Sequence, residues 1–222
     1  MTWQGIASRI LRILPPRTRL YWAARHFFFG QRAVYNLSHQ NSRLEEVASL
    51  QFGVAVDAMD KLKLAQIERI LDFGSGANRY SWRLVQRFNC PVVAVDILDS
   101  YAHYYAGIKG VEYHCAQNQR LPVPDQTIDL IWCFLVLGGL PDDSLPGVVL
   151  EFERVLRPGG MILLVENVTK QPDAKHWSFR SVDRYCALFQ HADATRIGGF
   201  RDLNEDVAII AVRPLTNIKA PR

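Results

Sequence analysis

The chain has 222 residues, 49% hydrophobic and 22% charged, a balance that is typical of a folded domain and excludes wholesale disorder. No segment reaches the roughly 18 uninterrupted apolar residues of a membrane span, and no signal-type apolar core precedes a cleavage site, so we expect a cytoplasmic protein. The net charge of +4 is uneven, because residues 1–44 carry seven arginines and no acidic residue.

The first predicted element is a basic amphipathic helix that Pro15 and Pro16 end. A stretch rich in aromatic residues and arginines follows from Tyr21 to Phe29, and Gly30 interrupts it. The apolar face of the helix holds Trp3, Ile6, Ala7, Ile10, Leu11, Ile13 and Leu14. We call residues 1–42 the N-terminal arm.

Three interpretations of the N-terminal arm remain open. A basic amphipathic helix beside aromatic residues is typical of peripheral contact with an anionic membrane, here the inner membrane face through residues 1–35. The same pattern describes a helix packed on its own domain or on a second subunit of a homo-oligomer. Arginines with aromatic residues also suit single-stranded RNA, although a nucleic-acid partner is the least favoured of the three.

Residues 43–66 have apolar residues at helical spacing, which predicts a helix or helix pair leading into the core. Strand and helix patterns then alternate, which predicts an α/β fold with a mostly parallel sheet. The predicted strands are 69–73, 92–96, 111–115, 128–134 and 161–166, the helices are 78–88, 99–106, 143–156 and 181–190, and a closing antiparallel hairpin joins 194–199 to 207–212. The predicted domain spans residues 43–214, and residues 215–222 form a tail.

The four cysteines, Cys90, Cys115, Cys133 and Cys186, lie far apart and form none of the close pairs that zinc sites and redox motifs use. We expect small buried apolar residues in a reducing compartment and no metal site.

A glycine turn follows the first predicted strand, in the run Asp72-Phe73-Gly74-Ser75-Gly76-Ala77-Asn78. Gly74 and Gly76 lack a Cβ, so the backbone can bend tightly and approach a ligand closely. The N–H groups at the following helix start can meet an anionic group. The next predicted strand ends at Asp96, whose carboxylate can accept hydrogen bonds from both ribose hydroxyls of a nucleoside.

The spacing argues against a dinucleotide. In the dinucleotide fingerprint GxGxxG the last glycine would fall at Arg79, whose long side chain would obstruct the close helix packing of that fingerprint.

At these residues the sequence resembles the class I S-adenosylmethionine-dependent methyltransferases, especially the group acting on small molecules, quinones and sugars. Asp72-x-Gly74-x-Gly76 is similar to the family's first motif, and Asp96 matches its ribose-binding acid. Residues 121–131 and 153–166 are similar to the stretches around its fourth and fifth strands. The resemblance implies S-adenosylmethionine as cofactor and a Rossmann-like seven-stranded sheet.

The resemblance also implies cofactor-binding residues: Asp72, Gly74, Ser75, Gly76, Asn78, Asp96, Ile97, Gln117, Asn118 and Phe134. Asn78 replaces the family's third glycine, which fits because asparagine enters left-handed backbone conformations readily. Gln117, beside Asn118, replaces the acid that holds the adenine amino group, and an uncharged amide should bind more weakly. Phe134 would touch the adenosine or methionine chain, or simply pack in the core.

Methyl transfer requires mainly alignment of donor and acceptor, so the sequence says little about catalysis. Where relatives place histidines after the fourth strand, this chain has Gly138 and Gly139, which indicates either a bulky acceptor or a base from elsewhere. Glu166, at the end of the fifth strand, and His176 are the candidate catalytic residues. Glu166 could instead have a structural hydrogen-bond role, and His176 could be a surface residue without one.

The predicted function is methylation of an oxygen on a small-molecule, sugar or lipid-linked acceptor. Two alternatives remain: a methyltransferase-fold module that has lost catalysis and serves in an assembly, and an RNA methyltransferase that uses the basic arm.

Overall fold

A seven-stranded sheet organises the structure, a computed structural model that describes residues 3–62, 64, 66–116 and 120–215. The strands are β1 (Ile70–Phe73), β2 (Val92–Asp96), β3 (Val111–Cys115), β4 (Ile128–Phe134), β5 (Leu156–Asn167), β6 (Ala192–Asp202) and β7 (Glu205–Pro214). Their order is β3-β2-β1-β4-β5-β7-β6, with β1 to β5 parallel and β6 and β7 antiparallel. This confirms the predicted Rossmann-like α/β fold with its closing hairpin.

The central strands are mostly apolar because helices cover both faces of the sheet. Six α-helices are present among the described residues: α1 (Trp3–Ile13), α2 (Arg19–Phe29), α3 (Leu44–Asp60), α4 (Ser81–Phe88), α5 (Leu145–Val155) and α6 (Val182–Cys186). Helices α5 and α6 pack on the face that presents Leu71 and Ile131. Helices α3 and α4 pack on the other face, which presents Ile70 and the fully buried Trp132.

Several predicted elements differ from the structure. The helix expected over 78–88 begins at Ser81, and both strands of the closing hairpin are longer than expected. The helix expected over 99–106 is a 3-10 helix, Asp99–Tyr105. The helix expected over 181–190 ends at Cys186, after which turn hydrogen bonds bring Phe189 into the core. Strand β5 begins earlier than expected because Leu156 pairs with Ile128 ahead of the glycine turn.

The N-terminal arm packs on its own domain, which was one of the three interpretations of its sequence. Thr18 caps α2 by accepting a hydrogen bond from the Tyr21 N–H at 3.2 Å, and Gly30, at φ 55°, ends the helix. Ala7 of α1 is fully buried, but Ile13 is 81% exposed and does not share the packed face as its sequence position predicted. No helix within the described residues is long and apolar enough to cross a membrane.

Most arginines of the arm are engaged by the protein itself. Arg19 pairs with Asp99 at 2.7 Å, and Arg17 lies 3.6 Å from Asp173. The buried Arg25 donates to the carbonyls of Ala33 and Tyr35. Much of the positive charge seen in the sequence therefore holds the arm in place.

Candidate active site

A cavity of about 430 Å³ opens at the carboxyl ends of the parallel strands. Six residues predicted to bind the cofactor line it: Asp72, Gly74, Ser75, Asp96, Ile97 and Phe134. Its volume lies within the range of about 300–1,000 Å³ that small-molecule and cofactor sites occupy. The glycine turn after β1 and the acid at the end of β2 therefore share one cleft.

The glycine turn adopts backbone angles and contacts that require glycine. Gly74 and Gly76 have φ values of 71° and 55°. A Cβ at Gly74 would clash with Val136, and one at Gly76 would clash with Val34 of the arm. Gly76 does not line the cavity itself; its N–H donates to Asp96 Oδ2 at 2.9 Å, which ties the turn to β2.

Asp96 is suited to bind ribose hydroxyls. Its Oδ1 accepts a hydrogen bond from the Ile97 N–H at 2.7 Å, and its Oδ2 accepts the one from Gly76. A carboxylate can accept about four hydrogen bonds, so both oxygens retain capacity for ligand hydroxyls. Burial raises the pKa of Asp96 to about 6, although three backbone N–H groups oppose that shift.

Asp72 lies at the cavity floor and connects β1 to α4. Its Oδ2 accepts a hydrogen bond from Ser81 Oγ at 2.5 Å, at the first residue of α4. Burial raises the pKa of Asp72 to about 7, and the nearby charge of Asp96 adds to the shift. Asp72 thus positions the helix that begins after the glycine turn.

Asn78 has a φ of 57°, which confirms the predicted left-handed conformation. Its Nδ2 donates to the Tyr104 carbonyl and its N–H to Tyr105 Oη, both at 3.1 Å, and it does not line the cavity. Gln117 and Asn118 lie outside the described residues, but Ala116, immediately before them, lines the cavity.

Arg79 is a site residue that the sequence analysis missed. It is buried, and its guanidinium lies over the rings of Tyr35, Tyr80 and Phe134 at 4.2, 4.8 and 5.5 Å from their centroids. It donates to Gln51 and to the Val34 carbonyl, while its Nε has no partner. A buried N–H without a partner in a cavity wall suits a ligand oxygen, such as the methionyl carboxylate of S-adenosylmethionine.

The arm supplies a second group of wall residues that the sequence analysis did not include: Trp22, Arg25, Ala33, Val34, Tyr35, Asn36 and Leu37. The sequence signal for these residues was the concentration of aromatic residues and arginines in the arm. That pattern is typical of a membrane contact as well as of a cavity wall. The arm is therefore part of the site.

Gly138 makes room for Trp177, and Gly139 lies in the cavity wall beside Trp22. A Cβ at Gly138 would clash with the Trp177 indole, and the carbonyl of Gly138 accepts a hydrogen bond from the Ser178 N–H at 2.8 Å. The space left at Gly138 is therefore filled by Trp177, whereas Gly139 lines the cavity, and the interpretation of a bulky acceptor stays a prediction there. Trp177 itself lines the cavity.

The prediction that Glu166 is catalytic is contradicted by its position. Its carboxylate is fully buried, does not line the cavity, and accepts hydrogen bonds from the N–H groups of Val136, Leu137 and Gly138 at 2.9, 2.7 and 3.3 Å. Tyr185 Oη adds a contact at 3.4 Å. Glu166 therefore fixes the turn after β4, the structural role that the sequence left as its alternative.

His176 lies in the cavity wall, against the arm. Its ring stacks on Tyr21 with centroids 5.7 Å apart and meets Trp22 edge-on at 6.5 Å. Burial, with smaller contributions from Arg25 and Arg17, lowers its pKa to about 4. The imidazole is therefore neutral at physiological pH, and its low pKa makes it a weak base.

Together these groups fit S-adenosylmethionine. Asp96 would hold the ribose, Arg79 the carboxylate, and Ile97 with Tyr101 would line the space for the adenine. Among the described residues, no group of three or more His, Cys, Asp or Glu side chains could hold a metal ion.

Comparison with known proteins agrees with this geometry. Residues 71–164 match a family model described as a methyltransferase domain. The tRNA N(3)-cytidine methyltransferase METTL2 of Gallus gallus is 30% identical over 43% of this chain and 29% of its own length. The N-terminal Xaa-Pro-Lys N-methyltransferase 1-B of Xenopus laevis is 31% identical over 55% of this chain and 59% of its own. The malonyl-[acyl-carrier protein] O-methyltransferase of Halorhodospira halophila is 29% identical over 60% and 46%.

The chain thus spans less than two thirds of each of these relatives. Among solved structures, a SAM-dependent methyltransferase from Aquifex aeolicus superimposes with a TM-score of 0.57 at 19% identity, over 79% of this chain and 99% of that one. At that identity the superposition shows the fold. The family match, the fold and the cleft agree, and residues 71–164 form a methyltransferase domain.

Proposed function

We propose that this protein transfers a methyl group from S-adenosylmethionine to a small or lipid-linked acceptor in the cavity. The observation that carries the proposal is the single cleft into which both the Gly74 turn and the Asp96 carboxylate open. When bound, S-adenosylmethionine supplies a methyl group on a positively charged sulfur, which a nucleophile attacks in line.

The residues of the chain would then bind, orient and exclude water. Asp96 and Arg79 would fix the two polar ends of the cofactor, and Phe134 with Val136 would form an apolar wall near the end of β4. The Trp22 and Trp177 side chains would limit the access of water. Positioning of this kind accounts for a large part of the rate in methyl transfer, because the reaction needs no compulsory side chain.

Calorimetric titration with S-adenosylhomocysteine tests the cofactor half of this proposal. We expect saturable binding to the folded protein, and its absence at millimolar ligand would contradict the assignment. Transfer of a labelled methyl group to a lysate fraction, lost in Asp96→Ala, would exclude the alternative of an inactive module.

The sequence-based prediction of an oxygen acceptor remains a prediction. An oxygen nucleophile must lose a proton, and His176 is supported as the acceptor by its place in the cavity wall, although its low pKa makes it a weak base. The names of the relatives include both nitrogen and oxygen acceptors, so they favour neither. A role for His176 as base would make kcat fall in His176→Ala while S-adenosylhomocysteine affinity is retained.

Peripheral membrane contact also remains a proposal. It is supported by three exposed large apolar side chains of the arm, Ile13, Leu20 and Phe27. It is weakened, together with the RNA alternative, by the engagement of Arg17, Arg19 and other arginines within the protein. A homo-oligomer with the arm at its interface stays a prediction of the same kind.

A further inference from the structure

The hydroxyl of Tyr105 lies directly behind the glycine turn that opens into the cavity. Tyr105 is the last residue of the 3-10 helix Asp99–Tyr105, is buried, and does not line the cavity. Its Oη lies 2.8 Å from Ser75 Oγ and 2.9 Å from the carbonyl oxygen of Gly76, and it accepts a hydrogen bond from the Asn78 N–H at 3.1 Å. One side chain therefore holds the turn at three points along the chain.

The three contacts are compatible with one arrangement of protons. A phenol has one proton to donate and two lone pairs that accept. The carbonyl of Gly76 can only accept, so it takes the Tyr105 proton, and the N–H of Asn78 can only donate. The Ser75 hydroxyl must then donate its own proton to Tyr105 Oη. Because Ser75 lines the cavity, its oxygen can offer a ligand only its lone pairs.

The surroundings of Tyr105 keep its hydroxyl protonated and in place. Burial, with a smaller contribution from the charge of Asp72, raises the pKa of Tyr105. Its ring stacks on Tyr113, with centroids 4.5 Å apart and an angle of 20° between the planes. The carbonyl of the preceding residue, Tyr104, accepts a hydrogen bond from Asn78 Nδ2 at 3.1 Å. Both backbone and side chain therefore fix the end of the 3-10 helix against the glycine turn.

The turn gains from these contacts because its own residues restrict it little. Gly74, Gly76 and Asn78 have positive φ values of 71°, 55° and 57°. Glycine loses more conformational freedom on ordering than any other residue, so a glycine turn is costly to hold in one conformation. A ligand that binds a preorganised turn does not have to supply this ordering. Hydrogen bonds within the protein that order Gly76 and Asn78 therefore favour ligand binding.

We propose that Tyr105 is a positioning residue for the cofactor, whose hydroxyl orders the glycine turn and directs the Ser75 oxygen to accept from the ammonium group of S-adenosylmethionine. This inference rests on the proposed function and deepens it at the same site. The ammonium group belongs to the methionyl end, whose carboxylate is assigned to Arg79, three residues after Gly76. Tyr105 acts through the turn, since it does not line the cavity itself.

The test compares two probes that share the adenosine and the thioether, S-adenosylhomocysteine and methylthioadenosine, which lacks the amino-acid end. In Tyr105→Phe, which keeps the ring, we expect calorimetry to show at least about fivefold weaker binding of S-adenosylhomocysteine and no more than about twofold weaker binding of methylthioadenosine. A general loosening of the site would weaken both probes equally.

Tyr113→Phe is the matched control. It removes the hydroxyl of the stacked ring, which donates to the Leu98 carbonyl at 2.6 Å and makes no contact with the turn. We expect the affinities for both probes to stay within about twofold of the wild-type values.

Ser75→Ala tests the same contact from the side of the turn. It removes the oxygen that would meet the ammonium group, so we expect the same loss for S-adenosylhomocysteine alone. Adding Tyr105→Phe should then weaken binding less than it does in the wild-type background, because the two residues share one hydrogen bond. This variant also decides the question if Tyr105→Phe does not fold, since wild-type affinity for S-adenosylhomocysteine in Ser75→Ala would overturn the proposed role.

The outcomes separate the two proposals. Failure of S-adenosylhomocysteine to bind the folded wild-type protein would overturn the proposed function. Cofactor binding that Tyr105→Phe leaves unchanged, or an equal loss for the two probes, would overturn the positioning role alone. An equal effect of Tyr105→Phe in the wild-type and Ser75→Ala backgrounds would also overturn it. Melting curves of each variant confirm that the protein compared is folded.

Discussion

Three backbone N–H groups donate hydrogen bonds to Glu166, so replacing Glu166 tests whether its role is structural. In Glu166→Ala the N–H groups of Val136, Leu137 and Gly138 lose their shared acceptor in the protein interior. Each unpaired buried donor costs about 1–3 kcal/mol, so we expect the free energy of unfolding to fall by about 3 kcal/mol or more. Urea denaturation followed by circular dichroism measures this change.

Glu112→Ala is the matched control for that experiment, because Glu112 is exposed on β3 and its loss should change stability by about 0.5 kcal/mol or less. If Glu166→Ala instead kept wild-type stability and lost only kcat, Glu166 would be a general base and its structural role would be wrong.

The pKa of Asp96 predicts how cofactor binding depends on pH. Ribose hydroxyls donate best to a charged carboxylate, and burial raises the pKa of Asp96 to about 6. The carboxyl is therefore increasingly protonated below that pH, and we expect affinity for S-adenosylhomocysteine to fall as pH decreases from about 7 to about 5. Calorimetry across this range measures the trend.

Asp96→Asn supplies the comparison. We expect it to bind S-adenosylhomocysteine at least about tenfold more weakly at neutral pH and to lose most of the pH dependence. Equal pH dependence in the two proteins would assign the titration to another group, such as Asp72, whose pKa burial raises to about 7.

The local sequence pattern was sufficient to predict the positions and roles of some site residues but not of others. Asp72, Gly74 and Asp96 follow predictably from strand ends, because the carboxyl edge of a parallel sheet brings such residues together. Glu166 also lies near the end of a strand, but the N–H groups that it binds lie about thirty residues away along the chain. Only the structure shows that its carboxylate accepts hydrogen bonds from the turn after β4. Asp202 and Glu205 also line the cavity, and no sequence signal pointed to them because nothing in a hairpin turn indicates that it faces a cavity.

At the level of elements, the loop after β5 is held against the turn after β4 by the Trp177 indole and by hydrogen bonds from Ser178 and Arg180. Trp177 packs against Gly138, where a Cβ would clash with the ring, and Arg180 donates to the Leu137 and Leu140 carbonyls at 2.9 and 3.1 Å. In the sequence, a bulky acceptor at the glycines was one of two interpretations, and the pattern could not identify Trp177 as the partner of Gly138 because Trp177 lies beyond the next strand. Strands and helices were easier to predict because their periodicity is local.

Gly138→Ala should therefore displace Trp177 from the cavity wall. We expect a loss of about 1–3 kcal/mol in the free energy of unfolding from overpacking, together with a shift in tryptophan fluorescence. Gly53→Ala in α3 is the control, because a Cβ at Gly53 would meet no atom within 4 Å and alanine favours a helix. An unchanged stability in Gly138→Ala would mean that the loop is not held by this contact.

For the whole molecule, the N-terminal arm and the sheet form one site rather than a catalytic domain with an appendage. Trp22 and Arg25 of α2 line the same cavity as Asp96 of β2. His26 Nδ1 lies 3.0 Å from Ser100 Oγ and its Nε2 lies 3.2 Å from Tyr104 Oη, beside the end of β2. The first helix contributes no residue to the cavity as lined by the described part of the chain, so α1 and α2 should have separable roles.

Two truncations test this division. Removal of residues 1–16 takes away α1 and leaves α2 against the sheet, so we expect S-adenosylhomocysteine affinity to change by no more than about twofold. Removal of residues 1–29 also takes away Trp22, Arg25 and the contacts of His26, and opens the cavity to water. We expect that truncation to weaken binding at least about tenfold, because a ligand that stays partly hydrated gains less from burial.

Vesicle co-sedimentation of the same two proteins addresses the remaining role of α1. With Ile13 exposed at the end of α1, we expect the full chain to sediment with anionic vesicles and the 1–16 truncation to remain in solution while still binding S-adenosylhomocysteine. Circular dichroism establishes that both truncated proteins keep the sheet. Equal sedimentation of full-length and truncated protein would remove the membrane proposal, and equal cofactor affinity in all three proteins would show that the arm is not a functional wall of the site.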